Sequence, residues 1–152
     1  LIYHSRRVND TQPHFVVETV KRALGSLNGK RIAALGLAYK PDVDDLRESP
    51  AAEVVHLLQH EGAQVKAWEP FKPNANMNGI HMSPNLEDAI QDADTILLLV
   101  RHTEFKQISP REIAGKTSAK IIVDTVNSWE GEAWKSSGFE FFRIGDSKSP
   151  NS

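Results

Sequence analysis

A doubly wound parallel α/β sheet with flanking helices is the fold this sequence predicts, on three observations. Short, nearly unbroken apolar runs recur at residues 31–38, 95–100 and 120–124, as strands covered on both faces require. The stretches between them carry apolar residues at helical spacing. Strand and helix patterns alternate along the chain, which is the rhythm of right-handed βαβ crossovers.

A lead-in helix starts at Pro13, whose fixed φ suits a first helical turn. Val16, Val17, Val20 and Leu24 make its apolar face, and Gly25 and Gly29 end it. The run 31–38 is the first strand. Ser49-Pro50 reads as the cap and first turn of a helix over 50–61, with Ala51, Val54, Val55 and Leu58 facing inward and Gly62 at its end. Residues 65–68 make a short strand closed by Glu69-Pro70, and the Asn- and Pro-rich segment 72–85 reads as a loop. Leu86, Ala89, Ile90 and Ala93 recur at helical spacing ahead of the strand at 95–100. A short helical piece follows Thr103, and Ser109-Pro110-Arg111-Glu112 has the form of a capping box. Strands at 120–124 and 139–144 complete the sheet.

The 152 residues suffice for one domain with a substantial core. Eighteen Lys and Arg against twenty Asp and Glu leave a net charge of −2, which gives no global reason to expect nucleic acid or a membrane surface as partner. The chain has no cysteine, so disulfides, thiolate metal sites and cysteine nucleophiles are excluded within it. No apolar run approaches the roughly 18 residues that span a bilayer, and residues 1–10 lack the pattern of a signal peptide, so a soluble, cytoplasmic protein is expected. The first residue is Leu1 rather than Met, with Tyr3, His4, Arg6 and Arg7 ahead of the first helical pattern. A piece of something longer is expected; a processed small protein is the alternative.

The segment 35–51, LGLAYKPDVDDLRESPA, concentrates the chemistry. It leaves an apolar strand, carries Lys40 and Arg47 and enters a helix, where backbone N–H groups and the positive end of the helix dipole favour an anion. Ordinary βα loops run about two to six residues, so this longer one wants a reason. Lys40 offers a compact cation for a phosphate and Arg47 a fork for two oxygens; alternatively Arg47 pins the loop by pairing with Asp44, Asp45 or Glu48, and Lys40 is solvated. The dinucleotide fingerprint needs three glycines and only Gly36 is present, so this turn is not expected to bind NAD by itself. Asp42, Asp44 and Asp45 lack the spacing of a calcium loop. The Glu53, His56 and His60 set lacks the glutamate of the zinc-protease motif, and no metal site is expected. Asp124, Asn127 and Trp129 follow a buried strand at its C-terminal end, where they build a turn or meet a ligand. His102 lies at the same edge, with no Ser or Cys nucleophile arranged beside it, so no residue is assigned a catalytic role. Asn9-Asp10-Thr11 matches a glycosylation acceptor, which the absence of any secretion signal discounts.

Gly36-Leu37-Ala38-Tyr39-Lys40-Pro41-Asp42, then Asp44-Asp45, then Arg47-Glu48-Ser49-Pro50-Ala51 resembles the signature that opens the C-terminal domain of UDP-glucose/GDP-mannose dehydrogenases. Further matches are Arg7-Val8-Asn9-Asp10 with Pro13, Trp68-Glu69-Pro70, His102 with Phe105, Val123-Asp124 and Phe142-Arg143-Ile144-Gly145. The wording of residues 42–51 is most similar to the UDP-N-acetyl-D-mannosamine dehydrogenases, with UDP-N-acetylglucosamine and UDP-glucose 6-dehydrogenases as neighbours.

This resemblance implies a Rossmann-like domain that holds the UDP-sugar in an NAD-dependent 6-dehydrogenase of polysaccharide precursor synthesis. Residues 1–27 would be the end of a central helical region, 28–145 the UDP-sugar-binding domain and 146–152 a mobile tail. In this family the sugar C6 alcohol is oxidised to a carboxylate in two hydride transfers through a thioester on a central-domain cysteine. A chain without cysteine is therefore expected to be inactive alone. The resemblance assigns Tyr39 and Lys40 to the UDP-sugar and Arg47 to the phosphates of NAD, which the N-terminal domain mainly holds. It also implies the remaining domains of the enzyme as partners and a homodimer at full length. Many relatives have an arginine where this chain has Val126; either that contact is absent or a neighbour such as Arg101 or Asn127 replaces it. The rival reading is a free-standing, non-catalytic module for nucleotide binding or oligomerisation.

Overall fold

The computed structural model describes residues 13–38, 49–73, 77 and 79–144. Among these, strands β1 (Arg31–Leu35), β2 (Gln64–Trp68), β3 (His81–Met82), β4 (Thr95–Leu98), β5 (Ile121–Asp124) and β6 (Glu140–Arg143) form one sheet. Helices α1 (Pro13–Leu24), α2 (Pro50–His60), α3 (Leu86–Ile90), α4 (Thr103–Lys106), α5 (Pro110–Ala114) and α6 (Gly131–Ser136) flank it. All pairings are parallel and the spatial order is β3-β2-β1-β4-β5-β6. This is the doubly wound order. The chain builds outward from β1 to β3, then returns to the other side of β1 with β4, so the β1/β4 seam is the switch point.

Alternation along each strand explains why the runs are apolar without interruption. Ile32 and Ala34 of β1, with Leu97 and Val123, face one core beneath Val16, Val17 and Val20 of α1 and Val54, Val55 and Leu58 of α2. Ala33 and Leu35, with Ile96, Leu98 and Ile122, face the other, closed by Ile90 of α3, Phe105 of α4, Ile113 of α5 and Trp134 of α6. Fully burying each large side chain contributes about 1.5–3 kcal/mol, so both faces hold the sheet.

The Ser49 and Ser109 caps fall where the sequence predicts them, and Asn85 adds a third. Ser49 Oγ accepts from the Ala52 amide at 3.2 Å, Asn85 Oδ1 from Asp88 at 2.8 Å, and Ser109 Oγ from Glu112 at 3.4 Å. Two elements differ: α6 lies between β5 and β6 where no helix is expected, and the segment 72–85 is not wholly a loop, because His81 and Met82 pair with Lys66 and Ala67 to give β3. Two residues carry no periodic signal, and only the presence of β2 makes them a strand.

Candidate functional site at the carboxyl edge of the sheet

Ligands of open α/β sheets bind outside the carboxyl ends of the strands at the switch point. Here that place lies between the turn 36–38 after β1 and residues 100–102 after β4. Gly36 makes the turn with φ +96°, and a Cβ built on it would lie 2.7 Å from Val100 Cβ. The close approach of the two strand ends therefore depends on a residue with no side chain.

A carboxylate occupies the centre of this edge. Glu69, just after β2, is fully buried. Its Oε1 accepts from the amides of Leu37 at 2.7 Å and Ala38 at 2.9 Å, and its Oε2 from Phe71 at 3.1 Å. His102 Nε2, also fully buried, lies 3.0 Å from Oε1 and 2.9 Å from Oε2. Burial pushes the Glu69 pKa up, but the bonds from His102, Leu37 and Phe71 and the charge of His102 outweigh it, so the carboxyl sits below its ordinary 4.5. Glu69 therefore stabilises the fold above its unfolded pKa and loses that contribution as pH falls through the lower, folded value. Acid titration of stability is therefore expected to narrow the gap between the wild type and Glu69→Gln below pH 4.5, and a gap that stays constant there would contradict the assignment.

Aromatic rings close round the pair. Phe71 lies 4.8 Å from the His102 ring, Phe105 5.3 Å from His102, and Trp68 5.8 Å from Phe105. Phe71 is 44% exposed, so this cluster reaches the surface at the carboxyl edge.

Beyond β5 a second buried carboxylate shapes the edge. Asp124 accepts from Val126 at 3.0 Å through Oδ1, and from Ser128 at 2.9 Å and Trp129 at 2.8 Å through Oδ2. The Trp129 indole N–H donates to the Phe105 carbonyl at 2.9 Å, which ties this turn to α4. Asn127, at φ 55°, accepts from Arg143 Nη1 at 2.7 Å, and Arg143 Nη2 donates to the Trp129 carbonyl at 2.6 Å.

These contacts sort the candidates. Tyr39, Lys40 and Arg47, with Asp42, Asp44 and Asp45, lie outside the described residues; the described chain brackets them with Ala38 at the switch point and Ser49 capping α2. His102 is the buried partner of Glu69. Asp124 builds a turn. Arg143, brought from β6, donates to Asn127, the residue after Val126, while Arg101 is exposed. Glu69 and Arg143 stand in the sequence only as members of the motifs Trp68-Glu69-Pro70 and Phe142-Arg143-Ile144-Gly145, with no role assigned to either. A glutamate wedged between a buried strand and a proline, and an arginine inside an aromatic strand, were the available signals.

Among the described residues no group of three or more His, Asp or Glu is placed to hold a metal ion. No described helix is long and apolar enough to cross a membrane. The turn after β1 does not fit a dinucleotide pyrophosphate, because the Leu37 and Ala38 amides already donate to Glu69. A cavity of about 450 Å³ also lies at the opposite, amino ends of β1 and β2, lined in part by Arg31, Gln64, Lys66 and Asp92. It is remote from the switch point, where the strand ends present their loops.

The model of the UDP-glucose/GDP-mannose dehydrogenase family, UDP binding domain, matches residues 33–131. The UDP-N-acetyl-D-mannosamine dehydrogenase of Methanocaldococcus jannaschii is 38% identical over 97% of this chain and 34% of its own length. The UDP-glucose 6-dehydrogenase of Rickettsia conorii is 33% identical over 90% of this chain and 33% of its own. Among solved structures, the NDP-N-acetyl-D-galactosaminuronic acid dehydrogenase of Methanosarcina mazei superposes with a TM-score of 0.81 at 28% identity, over 94% of this chain and 31% of the other. The chain spans about a third of the length of these relatives. It belongs to the UDP-glucose/GDP-mannose dehydrogenase family, of which it carries the UDP binding domain.

Proposed function

We propose that this chain is the UDP-sugar half of an interdomain active site in an NAD-dependent nucleotide-sugar 6-dehydrogenase, with UDP-N-acetyl-D-mannosamine as the sugar nucleotide. The observation that carries the reading is the family match over residues 33–131, which takes in both the β1/β4 switch point and the turn after β5. In this reading residues 1–27 are the end of a central helical region, and residues 28–145 are the nucleotide-sugar domain. The other domains supply the main NAD site and the reacting groups, and the full-length enzyme is a homodimer.

Tyr39 and Lys40 start one residue past the turn that Glu69 holds. Lys40 meets the diphosphate as a point charge, a contact that neither turn amide is left to make. Arg47, two residues before the α2 cap, reaches the NAD phosphates across the cleft. When bound, NAD supplies the hydride acceptor; this chain's residues bind and orient the sugar nucleotide. Alone, the chain produces no NADH.

Calorimetric titration with UDP tests this. Weak binding that falls with added salt is expected, and Lys40→Ala should weaken it about tenfold, the scale of one charge-assisted contact. Equal affinity in wild type and variant would remove Lys40 from the site.

A further inference from the structure

The first βα turn of a doubly wound sheet ordinarily points successive amides at a ligand's anion. In this chain the amides of Leu37 and Ala38 converge on one oxygen of Glu69, at 2.7 and 2.9 Å, and the other oxygen takes the Phe71 amide at 3.1 Å. His102 Nε2 bridges both oxygens. Glu69 is completely buried, and its partners come from just past the ends of β1, β2 and β4, of which β1 and β4 flank the switch point. A carboxylate oxygen asks of these donors what a phosphate oxygen would.

We infer that Glu69 is an internal anion occupying the turn's own anion-binding position, and a positioning residue for substrate. It fixes Ala38, the residue directly before Tyr39, and takes the turn amides out of reach of the nucleotide's phosphates. The positioning half rests on the proposed binding of UDP by that segment; the internal-anion half does not. A carboxylate that only stabilised the core would leave nucleotide affinity unchanged wherever the variant is folded.

Two readouts on the 152-residue chain separate these roles. Thermal melting with added formate, the smallest carboxylate, probes the vacated position: formate should raise the melting temperature of Glu69→Ala and leave the wild type unmoved. UDP titration well below both melting temperatures probes positioning. Glu69→Ala should bind UDP about tenfold more weakly, with formate restoring part of the loss, and Glu69→Gln should bind it more weakly with its circular dichroism intact. Should Glu69→Ala fold only with formate present, that dependence is itself the rescue. Should it not fold at all, Glu69→Gln decides the positioning role.

Equal formate shifts in wild type and Glu69→Ala would overturn the internal anion. Wild-type UDP binding by the folded variants would overturn the positioning role, leaving Glu69 a stabiliser of the core, and tighter binding would overturn it by showing that the ligand uses the turn amides. If the wild type itself does not bind UDP, the proposed function fails, and the melting experiment still judges the internal anion.

Discussion

Asp124→Ala is expected to destabilise the chain by about 3–5 kcal/mol, the cost of stranding one buried and two half-buried amides that had donated to its carboxyl oxygens. The three amides are those of Val126, Ser128 and Trp129, at 2.8 to 3.0 Å, and the carboxylate is fully buried. The damage spreads beyond the turn. Trp129 packs 4.4 Å from Trp134 and donates to the Phe105 carbonyl, so releasing its amide loosens the core under α4 and α6. Asp124→Asn keeps the shape and one acceptor oxygen and should cost less. Urea denaturation reads both variants, and a loss under about 1 kcal/mol for the alanine variant would mean that the turn is held by other means.

Gly36→Ala is expected to cost about 2–5 kcal/mol, from backbone strain and steric overlap together. At φ +96° an L-residue is strained, and the added Cβ would meet Val100 Cβ at 2.7 Å and the Val100 backbone nitrogen at 3.1 Å. Neither neighbour is the far end of a flexible side chain. Gly138, at φ +103° with nothing within 4 Å of the place a Cβ would take, is the control: its alanine variant meets only the backbone term, about 1 kcal/mol. Similar losses at both positions would show that the β1/β4 seam can open without cost. Because Leu37 and Ala38 follow Gly36 directly, its substitution should also disturb the amides that Glu69 holds.

The sheet is legible in the sequence because its inner strands must be apolar on both faces, and residues 31–35, 95–98 and 121–124 announce that without help from their neighbours. β3 is not, since His81-Met82 becomes a strand only through the edge of β2. The same distinction divides the site. Lys40 and Arg47 stand out through their place between a strand and a capped helix, within one continuous motif. Glu69 reaches its partners across 31 to 33 residues of chain, and nothing in the local pattern says that its carboxylate turns inward toward Leu37, Ala38 and His102. Arg143 likewise meets Asn127 only because β6 lies beside β5.

With UDP seated at the carboxyl edge of the sheet, as proposed, amide spectra of the isotope-labelled chain during UDP titration should locate it there. Shifts are expected at Leu37, Ala38 and Phe71 and in the turn from Asn127 to Trp129, with Arg31, Gln64 and Lys66 at the opposite end unmoved. Shifts confined to those amino-end residues, or no shifts at saturating UDP, would contradict it.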